Sequence, residues 1–204
     1  MTRMLHPETT RTGGRRGVRR FVVLPAVFAL LAMPLDAADR AEAQPSVSVN
    51  EDRGVYLVSA RFDVPQPVAQ AVAVLQDYEG IPRFMPEVKT SVVRERGERR
   101  VVVEQEAVSR MMMFSRRIHL LLDIHESDGA LRFRDTSGRS FKRYEGAWRL
   151  AGRGGRTEIT YELLAQPSFE VPEFILKRLL RRNAGQMIEQ LRREIAARAS
   201  APAS

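Results

Sequence analysis

The sequence predicts an α+β domain: a curved antiparallel sheet of about seven strands wrapped around one long C-terminal helix, with two short helices after the first strand. Three observations carry this. Residues 55–64 and six later segments alternate apolar and polar side chains, the period of a strand with one buried face. The later segments are mostly separated by short Gly-bearing stretches that suit hairpin turns. From Pro172 to about Arg198 the apolar residues recur at three- and four-residue spacing, as on a helix. A sheet with one apolar face must bury it, and that helix is its large apolar partner.

The first 43 residues read as an address. Arg15, Arg16, Arg19 and Arg20 precede a charge-free stretch from Phe21 to Leu35. A basic start followed by a short apolar run describes a secretory signal peptide. Ala41-Glu42-Ala43 places small residues where a signal peptidase reads, so cleavage is expected before Gln44. The alternative is an uncleaved membrane anchor, but the apolar run is short of the about 20 residues a spanning helix needs. The expected location is therefore periplasmic or secreted.

Residues 44–50 form a polar lead-in, 51–198 the domain, and 199–204 a flexible tail. Val55–Val64 directs Tyr56, Val58, Ala60, Phe62 and Val64 to one side. Pro67 suits the first turn of a helix, where a missing N–H costs nothing, and 67–76 has helical spacing. Residues 81–85 add one further turn. The six alternating segments are 88–96, 99–110, 112–125, 130–137, 141–151 and 156–166. The final helix carries Phe174, Ile175, Leu179, Met187, Ile188, Leu191 and Ile195 on its apolar side. Lys177, Arg178, Arg181, Arg182, Arg192 and Arg193 decorate the rest.

The chain has 204 residues, no cysteine and a formal net charge of +8. Disulfides, thiolate metal sites and cysteine nucleophiles are excluded. Residues 44–204 keep 26 basic against 21 acidic side chains, a net charge of +5. Part of the basic excess thus belongs to the export segment.

The stretch Val74-Leu75-Gln76-Asp77-Tyr78-Glu79-Gly80-Ile81-Pro82-Arg83-Phe84-Met85-Pro86 and the run Gly146-Ala147-Trp148-Arg149-Leu150 carry a family resemblance. With the order strand, short helices, strands, long helix, the chain resembles the START-like superfamily (SRPBCC, helix-grip fold). Within it, the chain is most similar to the polyketide cyclase/dehydrase and coenzyme Q-binding branch. The resemblance spans about residues 50–198. It implies a cavity between sheet and C-terminal helix for a lipid, quinone, sterol or polyketide. Ile81 stands where the branch usually has an aromatic residue. The expected export also separates this chain from cytoplasmic and mitochondrial relatives.

The candidate cavity residues follow from position. Tyr78, Phe84 and Met85 lie where the short helices meet the sheet, as a packing plug or as the cavity's rim. Met113, in the run Met111-Met112-Met113-Phe114, reads as strand core or as an adaptable wall, since Met tolerates varied partners. His119 reads as a solvated outer-face residue or a polar group in the cavity. Tyr144 and Trp148 share one strand face beneath the helix, and Phe174, Ile175 and Leu179 belong to the helix itself.

No catalytic residue singles itself out. There is no Gly-x-Ser-x-Gly elbow, and Gly152-Arg153-Gly154-Gly155 joins two strands instead of opening a phosphate-binding helix. His119 and His125 lack metal-ligand spacing, so neither metal nor other cofactor is expected. The expected partner is a hydrophobic small molecule. The basic face of the final helix offers a second partner, an anionic membrane surface. Nucleic acid is not expected. A cyclase or dehydratase using the same cavity is the alternative function.

Overall fold

The computed structural model describes residues 45–111 and 114–201, apart from the side chains of Met111 and Phe114. The expected export segment 1–43, Met113, and tail residues 202–204 lie outside the described residues.

Eight strands form one antiparallel sheet. They are β1 (Ser46–Asp52), β2 (Val55–Val64), β3 (Val88–Arg96), β4 (Arg100–Met111), β5 (Phe114–Ser127), β6 (Ala130–Asp135), β7 (Phe141–Arg153) and β8 (Arg156–Pro167). Their spatial order is β1-β2-β8-β7-β6-β5-β4-β3. Helix α1 (Val68–Leu75), a 3-10 turn (Tyr78–Gly80) and helix α2 (Ile81–Phe84) link β2 to β3, and α3 (Glu173–Ser200) closes the chain. This is the helix-grip architecture.

One strand exceeds the expectation. The lead-in forms β1, which pairs along its length with β2. Val49 is buried, Val47 is half-buried, and Ser46 and Ser48 are exposed, so the segment alternates after all. Its two valines are too few to stand out against the surrounding polar residues. The short helices consequently follow the second strand. The β1–β2 turn is the two-residue loop Arg53-Gly54, with positive φ at both positions (51° and 78°). That geometry matches the twist of a hairpin and favours glycine. At the other end, α3 runs to Ser200, so the first two residues assigned to the tail are helical.

The alternation of β2 and β8 is strict. Tyr56, Val58, Ala60, Phe62 and Val64 face the same side as Thr157, Ile159, Tyr161, Leu163 and Ala165, all buried. Helix α3 presents Leu176, Ala184, Ile188, Leu191 and Ile195 to this side. Its backbone runs closest to β1, β2 and α1. The helix is continuous through Gly185.

Candidate functional site

On the side of the sheet that faces α3, the middle strands carry a group of aromatic rings. Trp148 and Tyr161 have ring centroids 4.4 Å apart. Tyr144 lies 4.8 Å from Phe141 and 5.9 Å from Phe133. Phe133 stacks on Tyr161 at 6.3 Å. The rings converge because β6, β7 and β8 are neighbours whose register sets Leu131 opposite Trp148 and Trp148 opposite Tyr161.

Gly146 makes the group possible. A Cβ there would stand 2.2 Å from the Glu162 carbonyl oxygen and 2.7 Å from the Phe133 ring. The glycine of the Gly-Ala-Trp run thus leaves the space that Phe133 fills.

Phe133, Phe141, Tyr144 and Trp148 retain accessible surface although they pack against the core cluster, as do Leu179, Leu180 and Met187 on α3. The helix therefore does not seal this part of the sheet. Burial nevertheless pushes the Tyr144 phenol up to about 12, with a hydrogen bond from the Tyr161 side chain acting in the opposite direction. Burial raises the Tyr161 phenol as well, and its Tyr144 neighbour adds to the rise. These rings keep some accessible surface on the side of the sheet that faces α3. The hydroxyl pair is a polar feature on an otherwise aromatic and aliphatic wall, the usual make-up of a small-molecule site.

A concavity of about 510 Å³ lies at the N-terminal end of α3. Its lining includes Lys142, Phe169, Glu170 and Pro172, together with the core residues Tyr56 and Leu176. It therefore touches two residues of the core. The opposite end of α3 is held down. Arg198 reaches Asp77 at 2.7 Å and Gln190 donates to Glu87 at 3.2 Å; beside them, the Tyr78 hydroxyl ties the 3-10 turn to β5 by donating to Glu126 at 2.6 Å.

The expected site residues divide accordingly. Tyr144, Trp148 and Leu179 meet at or beside the core cluster and are half-buried. Tyr78 is buried at the pinned end, where burial and then its bond to Glu126 raise its phenol pKa. Phe84 lies near Arg198 at 6.0 Å and Met85 follows it, both half-buried. These three sit at the opposite end of α3 from that concavity. Ile175 is half-buried. Two expectations are corrected. Phe174 is 74% exposed, because it stands about 200° around the helix from buried Leu176. His119 points to the outer face, since its neighbours Ile118 and Leu120 take the inner one. Its Nε2 is 3.5 Å from Glu104 and 3.2 Å from Arg139. Met113 lies outside the described residues.

Sequence reasoning passed over Phe133, Phe141, Tyr161 and Phe169. The first three were legible as inner-face aromatics once strand register was known; Phe169 sits in a connection with no period to read. A second concavity, about 530 Å³, lies on the outer face. It is lined largely by charged side chains, several already paired, such as Arg149 with Glu162 at 2.8 Å. An apolar ligand gains little there. Among the described residues no three His, Asp or Glu side chains gather as a metal site, and no helix is long and apolar enough to cross a membrane.

The family model described as polyketide cyclase/dehydrase and lipid transport matches residues 64–192. No curated protein matches the chain. Among solved structures, the Zhui aromatase/cyclase from Streptomyces sp. R1128 is similar with a TM-score of 0.61 at 15% identity, covering 72% of this chain and 97% of that one. A START superfamily protein from Mycobacterium smegmatis gives 0.60 at 15% identity, covering 69% and 97%. A STAR-related lipid transfer protein (fragment 25–204) from Xanthomonas axonopodis gives 0.54 at 17% identity, covering 74% and 98%. At these identities the likeness is one of fold.

Proposed function

The chain belongs to the polyketide cyclase/dehydrase and lipid transport family, and from that membership we propose that it carries a hydrophobic small molecule between its sheet and α3. The observation that bears most weight is the set of partly accessible aromatic rings at Phe133, Phe141, Tyr144 and Trp148 beneath a helix that leaves them uncovered. Each Å² of apolar surface removed from water contributes about 25 cal/mol, so a lipid, quinone or polyketide-sized ligand gains its affinity from these walls. The Tyr144–Tyr161 hydroxyls orient a polar group of the ligand. Entry is at the N-terminal end of α3.

The same end fits a membrane surface. Phe174 is 74% exposed, and Arg178, Arg181 and Arg182 are exposed near it without an ion pair among the described residues. Each base adds on the order of 1 kcal/mol of attraction close to anionic lipid. The ligand is thus loaded from a membrane, and the protein is exported to meet it, as the Arg-rich start and apolar run of residues 15–35 support. Native mass spectrometry and solvent extraction of the protein purified from the periplasm test the ligand and the export together. A bound hydrophobe on a chain beginning at Gln44 is expected. An empty protein, or ligand binding that Leu179→Asp leaves unchanged, contradicts the carrier function.

A second reading, a cyclase or dehydratase, draws on Tyr144. A phenol whose pKa is pushed up to about 12 stays protonated at neutral pH and donates a hydrogen bond to a substrate carbonyl. Turnover of a linear polyketide mimic that disappears in Tyr144→Phe supports this reading; unchanged turnover removes it.

A further inference from the structure

Arg116 on β5 carries an inference about the chemistry of the ligand. By the alternation that turns Ile118 and Leu120 inward, Arg116 stands on the inner side of the sheet and Arg117 on the outer. Arg116 is exposed despite that position. Its guanidinium carbon lies 3.7 Å from the ring centroid of Phe169, a residue that lines the mouth at the N-terminal end of α3. No carboxylate pairs with it among the described residues, whereas Arg100, Arg143 and Arg149 on other strands each hold an acid. Stacking occupies the face of a guanidinium and leaves its in-plane N–H groups free in a fixed fork that matches carboxylate or phosphate oxygens. Lys142, on the mouth's wall, is likewise without an ion pair among the described residues. Glu170 is the acid on the same wall, while Glu173 beyond it is bound to Lys177.

We infer that the ligand is an anionic amphiphile, whose apolar body lies against Trp148 and Tyr144 and whose carboxylate or phosphate end is received at the mouth by Arg116 stacked on Phe169. This rests on the cavity reading above. It makes Arg116 the residue that selects among hydrophobic ligands, not the one that supplies most of the affinity.

The test compares dodecanoate, dodecyl phosphate and dodecanol as displacers of N-phenyl-1-naphthylamine from the full chain at constant ionic strength. The wild type is expected to bind at least one of the two anions about tenfold or more tightly than dodecanol; the tighter of the two identifies the headgroup. Arg116→Gln is expected to bring the anion and the alcohol to within about twofold while leaving dodecanol binding unchanged. Equal binding of anion and alcohol by the wild type overturns the inference and leaves the cavity intact, as does an undiminished preference in Arg116→Gln. Failure of all three displacers, with no uptake of the dye, overturns the cavity reading and this inference with it.

Discussion

Arg198 in the last turn of α3 bonds to Asp77 at 2.7 Å, joining the end of the C-terminal helix to the residue that opens the 3-10 turn. Asp77 also accepts from the Gly80 backbone N–H at 3.1 Å and from Arg83 at 2.8 Å. One carboxylate thus caps a turn and pins a helix, which gives a physical reason for an Asp at the head of the Asp-Tyr-Glu-Gly-Ile-Pro run. Burial works against the charged carboxylate, but the Arg198 hydrogen bond and charge, then Arg83 and Gly80, hold its pKa below the ordinary value. A depressed folded pKa stabilises above the unfolded value of about 3.9 and is lost as pH falls through the folded value. Arg198→Ala is therefore expected to cost about 1–2 kcal/mol at neutral pH. Urea denaturation should show that gap narrowing as pH drops below about 4.

Gly146 should resist substitution more than its place in mid-strand suggests. Gly146→Ala forces its Cβ against the Glu162 carbonyl and the Phe133 ring, and moving backbone is costly. A loss of about 1–3 kcal/mol is expected from overpacking. Thermal unfolding checks it. Because Phe133 is the ring displaced, binding of a hydrophobic dye should weaken too.

Much of this was legible in the sequence, and the exceptions have definite causes. The inner faces of β2 and β7, the turn glycines and the extent of α3 all follow from period-two and period-3.6 spacing. β1 escaped notice because only Val47 and Val49 mark it, and its pairing with β2 supplies the rest. Phe174 fits an apolar helix by composition, but its angle around the helix sets it away from Leu176 and into solvent. His119 shows the same lesson on a strand, where one residue of register exchanges cavity for surface. The concavity at the N-terminal end of α3 was not legible at all, since it is made where a loop, a hairpin turn and a helix end come together.

All four tyrosines of the chain carry raised pKa values: Tyr56, Tyr78, Tyr144 and Tyr161. Burial is the leading cause in each. At pH 10, where a free phenol is about half ionised, the native protein should therefore show little phenolate absorbance. The urea-unfolded chain should show about half of full ionisation. The linkage has the matching sign: the stability is held below the unfolded value of about 10 and declines as pH rises toward the folded values.

Phe174→Ser should separate surface docking from folding. A side chain 74% exposed contributes little to the core, so the unfolding free energy should change by less than about 0.5 kcal/mol. Cosedimentation with vesicles containing phosphatidylglycerol should fall, and fall further when Arg178 and Arg181 are also replaced by Gln. Unchanged cosedimentation removes this face from the loading step.

The central claim, a ligand space between sheet and helix, has a built-in reporter, because Trp148 is the single tryptophan of the chain and stands on the wall of that space. N-phenyl-1-naphthylamine bound there accepts excitation energy from Trp148. The predicted result is saturable transfer at one dye per chain, abolished by Leu179→Asp in a variant that still folds. Dye uptake without transfer from Trp148, or transfer that Leu179→Asp leaves intact, would place the hydrophobe elsewhere and contradict the account.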